Sequence, residues 1–217
     1  MRRTIFFDLD GTLIDTSERH YRVFEDILNL HQIENTHSKA DFWNQKRNGK
    51  KTLDLLPSNC SKKFIQEFSD EWIDRVEDIE YLKYDRLYSE SLDVLSVLKC
   101  KSDLVLVTLR NNKKNLLWEL GNFGLTSYFK QILLDSPLES RDKVSLIQEY
   151  MSPYYEKKNL IIVGDSEVDI ETGKKIGIST IAVTCGIRSR SFLRKLKPNF
   201  CVNKLCKIIE ILNGTGD

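Results

Sequence analysis

The sequence predicts an α/β protein: a doubly wound parallel sheet that carries an all-helical insertion. Three observations carry this. Short, continuously apolar, β-prone runs recur along the chain, as strands covered on both faces require. Stretches with helical apolar spacing separate those runs. Residues 15–86 break the alternation, showing helical patterns only.

The first strand is Thr4-Ile5-Phe6-Phe7, which feeds the tight loop Asp8-Leu9-Asp10-Gly11-Thr12. The insertion follows. Its Tyr21, Phe24, Ile27 and Leu28, and later Phe64, Ile65, Phe68, Trp72, Ile73 and Val76, repeat at helical spacing. Asp15 and Glu18 are placed to cap the first of these helices. Leu92, Leu95 and Leu98 mark a helix before the second strand, Leu104 to Val107, which ends at Thr108. Leu116, Leu117 and Leu120 mark the next helix, with Gly121 or Gly124 as its stop. A third strand covers Gln131 to Leu134, and Val144, Ile147 and Tyr150 mark a helix after it. The fourth strand, Leu160 to Val163, ends at Gly164-Asp165; a short helix from Ile170 to Ile176 is stopped by Gly177. Thr180 to Val183 is the fifth strand, ending at Thr184, and Asn199 to Val202 the sixth. The expected division is a sheet domain of residues 1–14 and 87–217 and a helical domain of residues 15–86.

Composition narrows the function classes. The chain has 217 residues, 41% hydrophobic and 30% charged, which is globular and not disordered. Lys+Arg 33 against Asp+Glu 32 leaves a formal charge of +1, so no global basic field exists to hold nucleic acid or an anionic membrane. No apolar run approaches the ~20 residues that span a bilayer, and the N-terminal run is too short for a signal peptide. Cys60, Cys100, Cys185, Cys201 and Cys206 form no CxxC pair, as expected of thiols in a reducing cytoplasm. His20, His31 and His37 lie in one early segment without metal-ligand spacing and read as packing or surface residues.

In parallel α/β sheets ligands bind beyond the carboxyl ends of the strands. The polar residues expected there are Asp8, Asp10, Thr12, Thr108, Asp165 and Asp169. Carboxylates crowded on one edge repel each other unless a cation sits among them, and hard oxygen ligands favour Mg²⁺.

With Asp8-Leu9-Asp10-Gly11-Thr12-Leu13-Ile14-Asp15 after the first strand and Gly164-Asp165-Ser166-Glu167-Val168-Asp169-Ile170 after the fourth, the chain resembles the haloacid dehalogenase (HAD) superfamily of phosphatases over most of its length. Thr108 matches the second motif and Lys143, in Arg141-Asp142-Lys143-Val144, the third. The run through Gly173, Gly177 and Thr180 to Gly186 is similar to the phosphoglycolate-phosphatase-like branch. The resemblance implies a Rossmann-like core and a Mg²⁺-dependent phosphatase that hydrolyses a small-metabolite phosphomonoester through an aspartyl-phosphate. Asp8 would be the nucleophile and Asp10 the general acid and base. Asp8, Asp165 and the main-chain carbonyl of Asp10 would hold Mg²⁺, with Asp169 supporting the site from behind or orienting Lys143. Thr108 and Lys143 would hold the phosphoryl oxygens.

The insertion would then be the cap that closes over the site and selects the leaving group. Its polar stretch Arg47, Asn48, Gly49 and Lys50 supplies the candidate specificity residues. Many relatives follow the second-motif Thr with Asn and a small or basic residue; here Leu109-Arg110-Asn111 follows, and Arg110 reads as a surface residue at a helix start. Lys143 lacks the Pro that follows in many relatives, and residues 138–142 differ as well. Arg188, Arg190, Arg194, Lys195 and Lys197 read as a solvated basic face. The alternative is a sugar-phosphate phosphomutase resembling β-phosphoglucomutase, but Asp169 is the phosphatase-like choice at its position. Asp10 and the metal cluster argue against a haloacid dehalogenase. Lys39, Lys46, Lys50 and Lys51 leave a phosphonate hydrolase open but unsupported. A non-catalytic binding protein of the same fold predicts eroded acidic positions, and Asp8, Asp10 and Asp165 are intact. The expected protein is a cytoplasmic monomer whose partner is a small phosphorylated metabolite, not nucleic acid or a membrane.

Overall fold

The computed structural model describes residues 2–134, 142–151 and 156–214. The chain enters through β1 (Arg3–Phe7), whose Ile5, Phe6 and Phe7 are fully buried. After the Asp8–Thr12 loop comes β2 (Ile14–Asp15), and then four helices: α1 (Ser17–Leu30), α2 (Lys39–Arg47), α3 (Lys62–Arg75) and α4 (Ile79–Leu82). β3 (Arg86–Leu87) returns antiparallel to β2, so a two-stranded ribbon forms the neck of the helical segment. The chain then alternates: α5 (Ser91–Lys101), β4 (Ser102–Thr108), α6 (Lys113–Asn122), β5 (Gln131–Leu134), α7 (Lys143–Tyr150), β6 (Leu160–Gly164), α8 (Glu167–Ile176), β7 (Ser179–Val183), α9 (Arg190–Lys195), β8 (Phe200–Val202) and α10 (Cys206–Gly214).

The six-stranded sheet runs β5-β4-β1-β6-β7-β8, and every pairing is parallel. Side chains alternate across it, as the pleat demands. Phe6, Val105 and Ile162 face one helical layer with Leu146, Ile147 and Ile176. Ile5, Phe7, Leu106 and Val163 face the other, with Leu95, Leu98, Leu116, Leu120 and Ile208. A separate apolar cluster holds α1 to α3 together: Val23, Phe24, Ile27, Leu28, Phe42, Leu55, Phe64 and Phe68.

Local sequence sets the helix ends. The side chains of Ser38, Ser61, Asn112 and Asp142 each accept a hydrogen bond from the third backbone N–H beyond, closing the first turns of α2, α3, α6 and α7. Asp15 accepts from the Ser17 N–H at 2.9 Å ahead of α1. α8 begins three residues before the expected Ile170, because Ser166 and Asp169 form a reciprocal capping box. It ends at Gly177 in the left-handed region, φ 79°. Leu117, expected on the buried stripe of α6, is 42% exposed; the stripe is Asn115, Leu116, Glu119 and Leu120. Residues 138–141, where the sequence departs from the family pattern, lie outside the described residues.

Phe68 is fully buried, with ring centroids 5.7 Å from Phe24 and 6.0 Å from Phe64 and Trp72. Phe68→Ala is expected to destabilise the helical segment by about 3–5 kcal/mol, read as a lower midpoint in denaturant-induced unfolding.

Candidate active site

The chain leaves β1 towards β4 and β5, then returns to lay β6 on β1's other side. That reversal opens the sheet at the carboxyl ends of neighbouring strands, where parallel sheets bind ligands. Asp8 and Asp165 directly follow β1 and β6 there, and the Asp8 N–H bonds to the Val163 carbonyl at 2.9 Å. Two glycines make the approach possible. A Cβ on Gly164 would lie 2.0 Å from the Asp169 Cγ, so only glycine lets Asp169 fold back to the strand end. A Cβ on Gly11, which has φ +77°, would lie 2.1 Å from an Asp165 oxygen.

Asp8, Asp165 and Asp169 each bring one carboxylate oxygen to within 4.8 Å of the others, and all three are buried. Lys143 reaches in from the first turn of α7. Its Nζ lies 2.5 Å from Asp8 Oδ1 and 2.6 Å from Asp169 Oδ1, and the residue is 4% exposed, far from a solvated lysine. Thr12 Oγ1 donates to Asp8 Oδ2 at 3.0 Å. The Ile187 N–H donates to Asp165 Oδ2. Thr108, at the end of β4, is buried beside β1. Burial pushes the Asp8 carboxyl up to about 7, against the pull of Lys143, and the negative field of Asp169 adds to the rise. Burial, then the charges of Asp8 and Asp169, hold Asp165 well above the ordinary carboxylate range. Lys143 is shifted upward: burial opposes its charge, but Asp169 and Asp8 outweigh it. Three buried carboxylates against one ammonium leave the cluster short of positive charge. The donor set, hard oxygens with unfavourable mutual repulsion, fits a divalent cation such as Mg²⁺.

Asp10 belongs to a different set of charges. Arg110 clamps it with two bonds, Nε to Oδ2 at 2.6 Å and an η-nitrogen to Oδ1 at 2.7 Å. Arg19 of α1 bonds the same Oδ1. Arg110 also bonds Glu119 of α6 at 2.9 Å, and Arg19 lies 3.1 Å from Asp85. Arg110 is therefore no surface residue: it is 4% exposed, because two carboxylates compensate its buried charge. Burial pushes the Asp10 carboxyl upward, but the Arg110 and Arg19 guanidinium groups override it and hold it below the usual range. Burial raises Asp85 to about 9 despite Arg19. Nearby, the Glu77 carboxylate accepts the Asn111 and Asn112 N–H groups at 2.8 and 2.7 Å, tying the segment after α3 to the start of α6.

Comparison with known proteins decides the family. The profile of the haloacid dehalogenase-like hydrolases matches residues 5–183. The chain belongs to this family. Among curated relatives, a pyrophosphatase of Anoxybacillus flavithermus is 26% identical over 221 residues, covering 98% of each chain. One of Bacillus mycoides is 24% identical over 228 residues, covering 97% of this chain and 96% of the relative. A haloacid dehalogenase-like hydrolase of Streptococcus pneumoniae superposes with a TM-score of 0.81 at 21% identity, over 97% of this chain and 98% of that one. The HAD-hydrolase YfnB of Bacillus subtilis, whose structure was solved bound to magnesium and reveals interdomain movement, superposes with a TM-score of 0.68 at 22% identity, over 98% and 99% of the two chains.

In this hydrolase the stretch Arg47 to Lys50 lies against the loop after β7. The Arg47 guanidinium donates to the carbonyls of Thr184 at 2.9 Å, Cys185 at 3.2 Å and Gly186. The Ser189 N–H donates to the Arg47 carbonyl at 2.7 Å, and Ser189 Oγ reaches Asn48 Oδ1 at 3.5 Å. Gly49 has φ +104°, and a Cβ there would lie 2.5 Å from the Phe192 ring. Lys50 is exposed. Arg47 is thus a strut between α2 and the sheet, its donors taken by main-chain carbonyls. Arg188 departs from the expected solvated face: it is 6% exposed, bonds Glu167 twice at 2.7 Å and donates to the Lys46 carbonyl at 2.5 Å. Arg190, Arg194, Lys195 and Lys197 are exposed as expected.

Sequence reasoning passed over Arg19, Asp85 and Glu119, and weighed Lys46 only as one of four lysines that a phosphonate hydrolase could use. The signal for three of them was helical register. Arg19 lies four residues before Val23, Lys46 four after Phe42, and Glu119 three after Leu116, so each falls on a buried stripe.

Magnesium at a hundredfold excess over its dissociation constant is expected to stabilise the folded protein by about 2.7 kcal/mol, seen as a raised thermal midpoint. Asp165→Asn should remove that shift while raising the midpoint in EDTA, since it deletes one of the repelling charges.

Proposed function

We propose that this hydrolase is a Mg²⁺-dependent phosphatase that cleaves a small-metabolite phosphomonoester through an aspartyl-phosphate on Asp8, acting as a cytoplasmic monomer. The observation that carries the reading is the buried Asp8 carboxylate, with an oxygen 2.5 Å from the Lys143 ammonium and within 4.8 Å of Asp165 and Asp169. The names of the pyrophosphatase relatives and the magnesium in the YfnB structure support it.

Asp8 and Asp165, with the Asp10 main-chain carbonyl, would hold Mg²⁺, which when bound supplies positive charge for the phosphoryl oxygens. Asp8 attacks phosphorus with a carboxylate oxygen, and the bond from phosphorus to the leaving oxygen breaks. Asp10 donates its proton to that oxygen. It then takes a proton from the water that attacks the aspartyl-phosphate, releasing phosphate and restoring both carboxyl groups. Lys143 and Thr108 hold the phosphoryl oxygens as charge moves across them. Asp169 keeps Lys143 aimed, through its 2.6 Å bond.

Asp10's ion pairs set a condition on this cycle. With Arg19 and Arg110 both engaged, the ionised base form is favoured. To hold a proton for the leaving group Asp10 must give up one of these partners. Arg19 belongs to α1 and Arg110 to the loop after β4, so movement between the helical segment and the sheet would change Asp10's hold on its proton.

The test is hydrolysis of p-nitrophenyl phosphate with Mg²⁺, with EDTA, and in Asp8→Asn. Activity that needs the metal and falls by roughly a thousandfold or more in the variant is expected; near-normal turnover in Asp8→Asn would overturn the nucleophile assignment. Asp10→Asn should depress hydrolysis of alkyl phosphates by a larger factor than hydrolysis of p-nitrophenyl phosphate, whose leaving group needs no proton. Release of inorganic phosphate from a hexose 1-phosphate, in place of the isomeric hexose 6-phosphate, separates this reading from a phosphomutase.

A further inference from the structure

The near-zero net charge of the chain conceals a segregation of charge. Residues 172–209 carry nine cationic side chains and no acidic one, so the remaining 179 residues hold 24 cations against 32 acids. One of the nine, Arg188, is buried on Glu167. Arg190, Arg194, Lys195, Lys197, Lys204 and Lys207 are exposed. Elsewhere on the surface a lysine has an acid beside it: Lys39 has Glu18, Lys83 has Glu80 and Lys158 has Glu156. Of these six cations Lys207 has Glu210, and the other five make no ion pair with a carboxylate of the described residues.

The fold arranges them as a belt around one edge of the sheet. β8 is the terminal strand. On one face α9 covers it, with Leu193 packed among Ala182 and Cys201. On the other lies α10, whose Ile208 and Leu212 pack in the cluster that holds Ile181 and Val202. Arg190, Arg194 and Lys195 belong to α9, Lys197 leads into β8, and Lys204 leaves it for α10. Arg190 and Arg194 stand four residues apart, one turn along the same helical face. Burial raises the Cys201 thiol of β8, and the charges of Arg190 and Arg194 both oppose it, so both overlook that strand. An aromatic ring sits in the middle of the belt. Phe200 of β8 is 36% exposed and borders a groove of about 270 Å³ that Arg3 and Lys158 also line.

We infer that the β8 edge of the sheet, with α9 and the start of α10, binds single-stranded nucleic acid. Unanswered cations gathered on one surface draw polyanions, and the counterions released from phosphates supply the affinity. The shape of the belt selects among polyanions. A bilayer meets cations that share a plane, whereas these turn round an edge from one face of the sheet to the other; a flexible strand follows that turn. An acidic peptide follows it equally but offers Phe200 no ring to stack on. Bases stack on an exposed ring while their phosphates meet Arg and Lys, and such binding is tolerant of sequence. The surface is separate from the Asp8, Asp165 and Asp169 cluster, and the inference does not depend on the phosphatase reading.

The experiment is fluorescence anisotropy of a labelled oligouridine RNA of about 20 nucleotides, longer than one such surface needs, titrated with the full-length protein in EDTA so that no Mg²⁺ recruits phosphates to the Asp8 cluster. Labelled polyglutamate and phosphatidylserine vesicles are the competing ligands. Wild type is expected to bind the RNA, with five phosphate contacts giving a slope of about −3 to −4 in log affinity against log salt, roughly a hundredfold loss between about 50 and 200 mM. Arg190→Glu with Arg194→Glu should weaken binding by roughly tenfold or more. Lys62→Glu with Lys63→Glu, which removes the same charge at the start of α3, should stay within about twofold of wild type. Phe200→Leu should weaken RNA binding by about fivefold or more and leave polyglutamate unaffected. Arg190→Glu with Arg194→Glu should keep the wild-type thermal midpoint and its rate on p-nitrophenyl phosphate; if the midpoint falls, Arg190→Gln with Arg194→Gln takes its place. No RNA binding by wild type, equal weakening by the two lysine and two arginine reversals, undiminished binding in Phe200→Leu, or tighter binding of polyglutamate or of the vesicles than of RNA each overturns the inference and leaves the phosphatase reading standing.

Discussion

Like charges held close together in a buried place are the constraint from which the rest of this structure follows. Adjacent strands in a sheet lie about 4.7–4.9 Å apart, so residues that follow neighbouring strands at one edge are forced into proximity. Asp8 and Asp165 are such a pair, and α8 adds Asp169. Nothing in the sheet relieves the repulsion; relief comes from Lys143, carried in by α7. The glycines at 11 and 164 serve the same end by leaving out the atoms that would push these carboxylates apart. Carboxylates held this close repel one another, so the arrangement is poised to gain from any cation that enters.

Two residues along the chain the electrostatics reverse. Asp8 is pushed up to about 7 by burial among acids, while Asp10 is held low between two guanidinium groups. Residues two apart would share a face if the strand continued, so it is the departure of the Asp8–Thr12 loop from strand geometry that carries Asp10 out of one charge cluster and into another. The second cluster draws on four separate stretches of chain: Arg19 in α1, Asp85 before β3, Arg110 after β4 and Glu119 in α6. It therefore does structural service too, joining the helical segment to the sheet. Within it burial raises Asp85 even with the Arg19 guanidinium beside it.

The legible part of the molecule was the part encoded contiguously. Each strand run is continuous in sequence because both faces of the sheet are covered, and Asp8, Asp10, Thr108, Asp165 and Asp169 could be placed because they stand at or just beyond the strand ends. Lys143 was found by its order between Thr108 and Asp165, although nothing local distinguishes it from a solvated lysine. Arg110 was misread for the converse reason: a charged residue at a helix start is ordinarily wet, and its partners Asp10 and Glu119 stand 100 and 9 residues away. The burial of Arg188 escaped because its environment is made where the loop after β7 meets α2, and that of Lys46 because Thr52 and the Trp72 ring reach it from beyond α2. Amphipathic register was the one clue available, and it flags a charge on a buried stripe without naming its partner.

Arg47 grips main-chain oxygens and touches no particular side chain of the loop it holds. Such a grip is indifferent to the identity of residues 184 and 185: every amino acid offers the same carbonyl. Substitutions there leave the bond between α2 and the sheet intact, whereas the arginine has no such latitude. The two sides of this junction are therefore unequal in their tolerance of drift. As far as this bond is concerned residues 184 and 185 can change while the loop's distance from α2 stays fixed by one side chain, whereas Gly186 cannot, since a Cβ there would lie 2.0 Å from an Asp165 oxygen.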